Sequence, residues 1–163
     1  MTERLDQSSF QYVNNSNLNR RFKLKYDTTK HNLWWNNYTD AERHMLRHED
    51  KNNSLKIMHN TRASRLPSCF LSGGSVTIRL HSTDIYRIER KHDDGDEFAH
   101  SVITLDSGGW HSVTTKDRIN RFLPLGFRLV QRNWNWIIQE MEDGTYRDGE
   151  LFFDGMQIKL ELA

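Results

Sequence analysis

The spacing of apolar positions changes along this chain, and each change marks an element. From residue 70 onward the period is mostly two. Val76, Ile78 and Leu80 alternate with polar neighbours, as do Trp134, Trp136 and Ile138, and then Met156, Ile158 and Leu160. This pattern predicts strands with one buried face. Val102, Ile103 and Leu105 mark another strand, and Phe127 and Leu129 one more. Ile85 and Ile88 lie three apart and fit strict alternation poorly. Turn signals separate the runs at Asp93-Asp94-Gly95-Asp96, Asp106-Ser107-Gly108-Gly109, Arg132-Asn133 and Glu142-Asp143-Gly144. Asp154-Gly155, set between Leu151-Phe152-Phe153 and the Met156 run, predicts a two-residue hairpin.

Two segments switch to helical spacing. Thr39-Asp40-Ala41-Glu42 has the form of a capping box and opens a helix that runs to Arg47 or His48, where Asp50-Lys51-Asn52-Asn53 ends it. Ser54–Met58 then adds a short strand or turn, and Arg65-Leu66-Pro67-Ser68 marks a boundary. In residues 114–123, Ile119, Phe122 and Leu123 share one face while Asp117, Arg118 and Arg121 lie opposite. Thr114 is the expected cap, and Pro124 and Gly126 stop the helix. At the amino terminus, Asn14, Asn15, Ser16, Asn17 and Asn19 favour turns over regular structure. Phe22, Leu24 and Tyr26 alternate with Arg21, Lys23 and Lys25, which predicts an edge strand over 20–26 with a basic face.

The expected fold is therefore α+β: a mainly antiparallel sheet with one short helix packed on it, plus an N-terminal helix and a flexible arm. Consecutive strands joined by hairpin-type turns favour antiparallel pairing. The chain divides into a polar, partly flexible arm over 1–38, a helical segment over 39–62, and a mainly antiparallel β domain over 63–163 that contains helix 114–123.

Composition sharpens this picture. Hydrophobic residues make up 36% of the 163 positions, fewer than in a typical compact domain. Five Trp, eight Phe and five Tyr nevertheless supply the large buried areas that a disordered chain lacks. A folded core with a polar arm satisfies both. The net charge of +1 gives no global attraction for nucleic acid, but the charge is unevenly spread. Residues 114–134 carry Lys116, Arg118, Arg121, Arg128 and Arg132 against Asp117 alone, and residues 140–163 carry seven acids against Arg147 and Lys159. The single cysteine, Cys69, rules out an intramolecular disulfide framework and a cysteine-rich zinc site. No apolar run approaches the ~20 residues of a membrane span, and no signal-peptide core opens the chain, so a soluble intracellular protein is expected.

Catalytic signatures are not legible. His44 and His48, four apart on the predicted helix, could share a metal with Glu49 or Asp50, but the sequence His-Met-Leu-Arg-His lacks the glutamate that hydrolytic zinc helices use as base. Asp84, Glu89 and Asp106, near His81 or His111, could build a metal-dependent nuclease site only if the fold makes them converge. There is no phosphate-binding Gly-Lys-Ser/Thr loop and no Gly-x-Ser-x-Gly elbow. No cofactor is expected. Cys69, next to a proline boundary, reads as an incidental buried thiol.

One constellation resembles a known family. Gly108-Gly109-Trp110, Thr114-Thr115 and Arg118-Ile119-Asn120 follow a strand bearing His81-Ser82-Thr83. They precede Gln131-Arg132-Asn133-Trp134-Asn135-Trp136. This order of segments, spanning roughly residues 74–139, is similar to that in small proteins encoded by tailed bacteriophages. The resemblance implies a phage origin and action within an infected bacterial cell, and it brings no catalytic residues with it.

The leading functional expectation is a non-enzymatic phage accessory protein that binds nucleic acid. The candidate residues are Arg20, Arg21, Lys23, Trp110, Lys116, Arg118, Arg121, Arg128 and Arg132, because Lys and Arg neutralise phosphates while aromatic faces stack bases. Trp110, in a glycine turn, is the tryptophan expected to be exposed; Trp134 and Trp136, on one strand face, are expected in the core. The competing expectation is a protein-binding inhibitor of a host or defence enzyme. It would use the acidic segment with Glu140, Glu142, Asp143, Asp148, Glu150 and Asp154. A virion component and a metal-dependent nuclease are further alternatives. The expected location is the host bacterial cytoplasm or the virion, with no membrane partner.

Overall fold

A computed structural model describes residues 12–13, 33–67, 73–92 and 99–160. In chain order the elements are β1 (Tyr12–Val13), α1 (Tyr38–His48), β2 (Ser54–Met58), β3 (Thr61–Leu66), β4 (Ser75–Leu80), β5 (Thr83–Lys91), β6 (His100–Leu105), α2 (Val113–Phe122), β7 (Phe127–Arg132), β8 (Asn135–Glu142), β9 (Thr145–Leu151) and β10 (Met156–Leu160). Seven strands form one sheet in the order β1-β10-β6-β5-β4-β3-β2, and β7-β8-β9 form a second. All pairings are antiparallel except β1 with β10. The fold is α+β and mainly antiparallel, as the spacing predicts. The basic 20–26 segment, the Asp93–Asp96 turn and Cys69 lie outside the described residues.

Both helices lie against the large sheet: α1 packs on β2 to β5, and α2 bridges β5 and β7. One core serves both sheets and both helices. It includes Trp35, Tyr38, Met45, Ile78, Tyr86, Ile103, Ile119, Phe122, Trp136 and Ile158. Tyr38, Ala41 and Met45 form the buried stripe of α1 at the spacing an amphipathic helix requires. The awkward Ile85–Ile88 spacing has a direct cause. Ile78 pairs with Tyr86 and Arg79 with Asp84, so Ile85 is an extra residue on β5. The resulting β-bulge resets the alternation, and both isoleucines become buried.

Both expected caps move upstream. Asn37 caps α1: its Oδ1 accepts the Asp40 amide at 2.9 Å. Thr39 sits exposed inside the first turn, and Glu42, instead of closing a capping box, accepts the Tyr38 hydroxyl at 2.9 Å. In α2 the cap is Ser112, whose Oγ accepts the Thr115 amide at 3.0 Å, and Thr114 is exposed. Thr61–Leu66, which lacks a long apolar run, is a full strand paired on both sides; it runs across the position where the helical segment was expected to give way to the β domain.

The Asp154-Gly155 hairpin does not form. Leu151 ends β9 in the small sheet, whereas Met156–Leu160 pairs with β6 in the large one. The Asp-Gly pair is a crossover between sheets. Local turn chemistry was read correctly, but β10 buries Met156, Ile158 and Leu160 against the large sheet rather than folding back on β9.

Candidate binding surface

The turn after β6 begins the surface. Gly108 and Gly109 adopt φ of +61° and +78°, the left-handed region where a side chain is strained. They are not equivalent. A Cβ on Gly108 would lie 2.8 Å from Thr83 Cγ2, whereas one on Gly109 would meet open space. The close approach joins the His81-Ser82-Thr83 turn to the Gly-Gly-Trp turn. Asp154, from the sheet crossover, holds the other side: its carboxylate accepts the Ser107 amide at 2.5 Å and the Gly109 amide at 2.9 Å. Burial alone would raise this carboxyl. The hydrogen bonds from Ser107 and Gly109, with His111 nearby, outweigh that and hold it below the usual carboxylate range.

The turn delivers Trp110 to solvent, 75% exposed. The next residue, His111, stays exposed and stacks on the buried Trp136, with ring centroids 4.5 Å apart and an interplanar angle of 20°. Phe152 meets both rings, at 5.7 Å from His111 and 5.4 Å from Trp136. Trp110, Val113, Leu151 and Phe153, each within two residues of His111 or Phe152 in sequence, are all more than half exposed. Trp134 joins them and corrects the sequence expectation. Trp136 is core, but Trp134 is 89% exposed because Asn133 and Trp134 form the β7–β8 turn, both at positive φ. The alternation Trp134-Trp136-Ile138 therefore breaks at its first member.

The basic residues behave differently from a solvated cationic face. Arg118 and Arg121 both bond Asp117, at 2.7 and 3.0 Å, and their side chains are only 17% and 22% exposed. They are not the free outer-face cations the helical spacing suggested. Arg128 donates to Gln139 at 2.6 Å and lies 3.8 Å over the Tyr146 ring. Gln139, itself buried, donates to Asp148, which also pairs with Arg132 at 2.7 Å. Lys116 reaches Gln131 at 3.4 Å and, among the described residues, has no carboxylate partner. Of the nine residues expected to bind, Trp110, Lys116 and Arg132 lie around one end of α2 and the β7–β8 turn. Arg20, Arg21 and Lys23 lie outside the described residues.

Asn120 fixes α2 to the small sheet. Its Nδ2 donates to the Leu129 carbonyl at 2.9 Å and its Oδ1 accepts the Leu129 amide at 2.7 Å. The amide side chain acts as a one-residue strand partner for β7.

Among the described residues no group of three His, Cys, Asp or Glu converges to hold a metal. Glu49 is committed to Arg65 through two hydrogen bonds, one of them at 2.8 Å, so it does not join His44 and His48. Asp84 pairs with Arg79, and Asp106 accepts the Gly108 amide. No helix among the described residues is long and apolar enough to cross a membrane.

The described residues thus form a mainly antiparallel α+β domain that carries exposed tryptophans, with no group of three His, Cys, Asp or Glu among them that could hold a metal. The profile of the Kyanoviridae Gp96 protein family matches residues 38–159, and the chain belongs to that family of bacteriophage proteins. The match begins at the first residue of α1 and so takes in both helices and every strand but β1, with β10 covered to Lys159. No curated protein and no solved structure matches the chain.

Proposed function

We propose that this phage protein is a non-enzymatic accessory protein that acts by docking its aromatic rim on a protein of the infected cell. One observation carries the reading: Trp110, Val113, Trp134, Leu151 and Phe153 are all exposed, each within two residues in sequence of the stacked His111, Trp136 and Phe152 rings, while the neighbouring arginines are already paired with acids. Exposed tryptophans on a fixed support lose little entropy when covered, which is the property of interface hot spots. Glu150, next to the exposed Leu151 on β9, favours a partner whose apolar patch carries a basic residue at its edge. Inhibition of a host or defence enzyme fits such a surface.

Single-stranded nucleic acid is the second reading. It is favoured by Lys116, which has no carboxylate partner among the described residues and reaches Gln131 on β7, two residues before the β7–β8 turn that carries Trp134. Bases stacked on two exposed indoles would each contribute about 1–3 kcal/mol.

The two readings separate in one experiment. Wild-type protein and a Trp110→Ala/Trp134→Ala variant are used to capture partners from nuclease-treated host lysate, alongside a salt titration against single-stranded DNA. A discrete protein retained by the wild type and lost by the variant supports docking. DNA binding that weakens steeply with salt, with no retained protein, transfers the assignment to nucleic acid.

A further inference from the structure

At the opposite end of α2 the chain forms a second feature. The segment Leu33–Trp35 crosses the helix's carboxyl end: the amides of Leu33 and Trp34 both reach the Arg121 carbonyl, at 2.9 and 3.2 Å, and Trp35 reaches that of Phe122 at 3.3 Å. Between this segment and α1 lies a cavity of about 270 Å³, whose lining includes Trp34, Trp35, Asp40, His44, Arg47 and His48. The two features lie a helix length apart, about 15 Å for ten residues.

Charge in this cavity is lopsided. Its one acid, Asp40, is paired with Arg43 at 3.2 Å. Arg47 and the imidazoles of His44 and His48, whose rings lie 5.0 Å apart, have no carboxylate partner among the described residues. Basic residues in a last helical turn do complement the helix dipole. That does not account for the aromatic wall opposite them. Trp34 is held at φ +33°, a conformation costly for a bulky residue, and its side chain remains half-buried against the cavity. The Trp35 indole supports the wall and lies 5.9 Å from the His44 ring. The His44 imidazole is held below its usual pKa, first by burial and then by the charges of His48 and Arg47 beside it.

We propose that this cavity binds a nucleoside phosphate, with Arg47 and His48 holding the phosphate and Trp34 packing on the base. Arg supplies paired donors suited to phosphate oxygens. The cavity holds more than a phosphate group alone, which leaves room for the attached ring. The ligand's source is either a free nucleotide or the 5′ end of a strand.

The test uses the full chain and follows tryptophan fluorescence and the His44 and His48 imidazole resonances during titration with inorganic phosphate, adenosine, adenosine monophosphate and a short 5′-phosphorylated oligonucleotide. The monophosphate should bind more tightly than inorganic phosphate, and adenosine should not bind measurably. Arg47→Ala/His48→Ala, which alters two exposed side chains, should keep the melting temperature and weaken the monophosphate about tenfold or more. A 5′-phosphorylated strand binding better than the monophosphate would identify a strand end as the source; equal binding would identify the free nucleotide. No response to any phosphate would overturn the proposal, as would unchanged affinity in the double variant or equal affinity for phosphate with and without the nucleoside. A Trp110→Ala/Trp134→Ala variant that still binds the monophosphate keeps this cavity distinct from the aromatic rim.

Discussion

The carboxylate of Asp154 accepts the Gly109 amide at 2.9 Å across 45 residues of sequence, and this contact fixes the turn that presents Trp110. Asp154→Ala should destabilise the protein by about 1–2 kcal/mol. That is the lower part of the range for hydrogen bonds to a charged group, since the residue is solvent-exposed. The folded-state carboxyl lies below its usual 3.8, so its contribution is fully present above that pH and is lost as pH falls through the folded value. Chemical denaturation across the acid range should therefore show a shallower loss of stability in Asp154→Ala than in the wild type. Parallel curves would remove the latch from the account.

The two glycines of the turn should respond unequally. Gly109→Ala incurs the left-handed φ alone, about 1–2 kcal/mol. Gly108→Ala adds a contact of 2.8 Å with Thr83 and should cost more. Thr83→Ser combined with Gly108→Ala should recover part of the difference, because it removes the methyl group the new Cβ meets. Equal unfolding free energies for the two alanine variants would contradict the close approach.

Asn120→Leu should cost about 2–3 kcal/mol, since it leaves the amide and carbonyl of Leu129 without their partner beside an apolar side chain. Amide hydrogen exchange localises the effect. Leu129 should lose protection while Ile103, in the large sheet, retains it.

The tryptophans provide a test in pairs. Trp136→Ala should cost about 3–5 kcal/mol by emptying a core site beneath His111. Trp134→Ala and Trp110→Ala should each change stability by no more than about 0.5 kcal/mol. Thermal unfolding of the three variants checks this ordering. Destabilisation of Trp134→Ala comparable to that of Trp136→Ala would mean that the β7–β8 turn is packed rather than open.

Helices, most strands and the glycine turn were legible because their signals are local. Apolar spacing of two or 3.6 residues declares which face of an element is buried, whatever it packs against. Thus the strand over Val76–Leu80, the apolar face of Ile119 and Phe122, and the exposure of Trp110 could all be read from neighbouring residues. Both caps were misread by two residues, since Asn37 and Thr39, or Ser112 and Thr114, are chemically interchangeable as caps; the chain anchored by Tyr38 to Ser101 and by His111 to Trp136 decides between them.

Tertiary structure alone decided the pairing partners. Asp154-Gly155 has hairpin chemistry, yet β10 gains its buried face from β6, more than 50 residues away. Trp134 keeps strand spacing with Trp136, yet the turn rotates it into solvent. Arg118 and Arg132 look alike as sequence, but their charge is spent on Asp117 and on Asp148, and the second of those acids comes from another strand. Periodicity fixes which way a side chain faces along its own element; what it meets there depends on chain segments brought together only by the packed core.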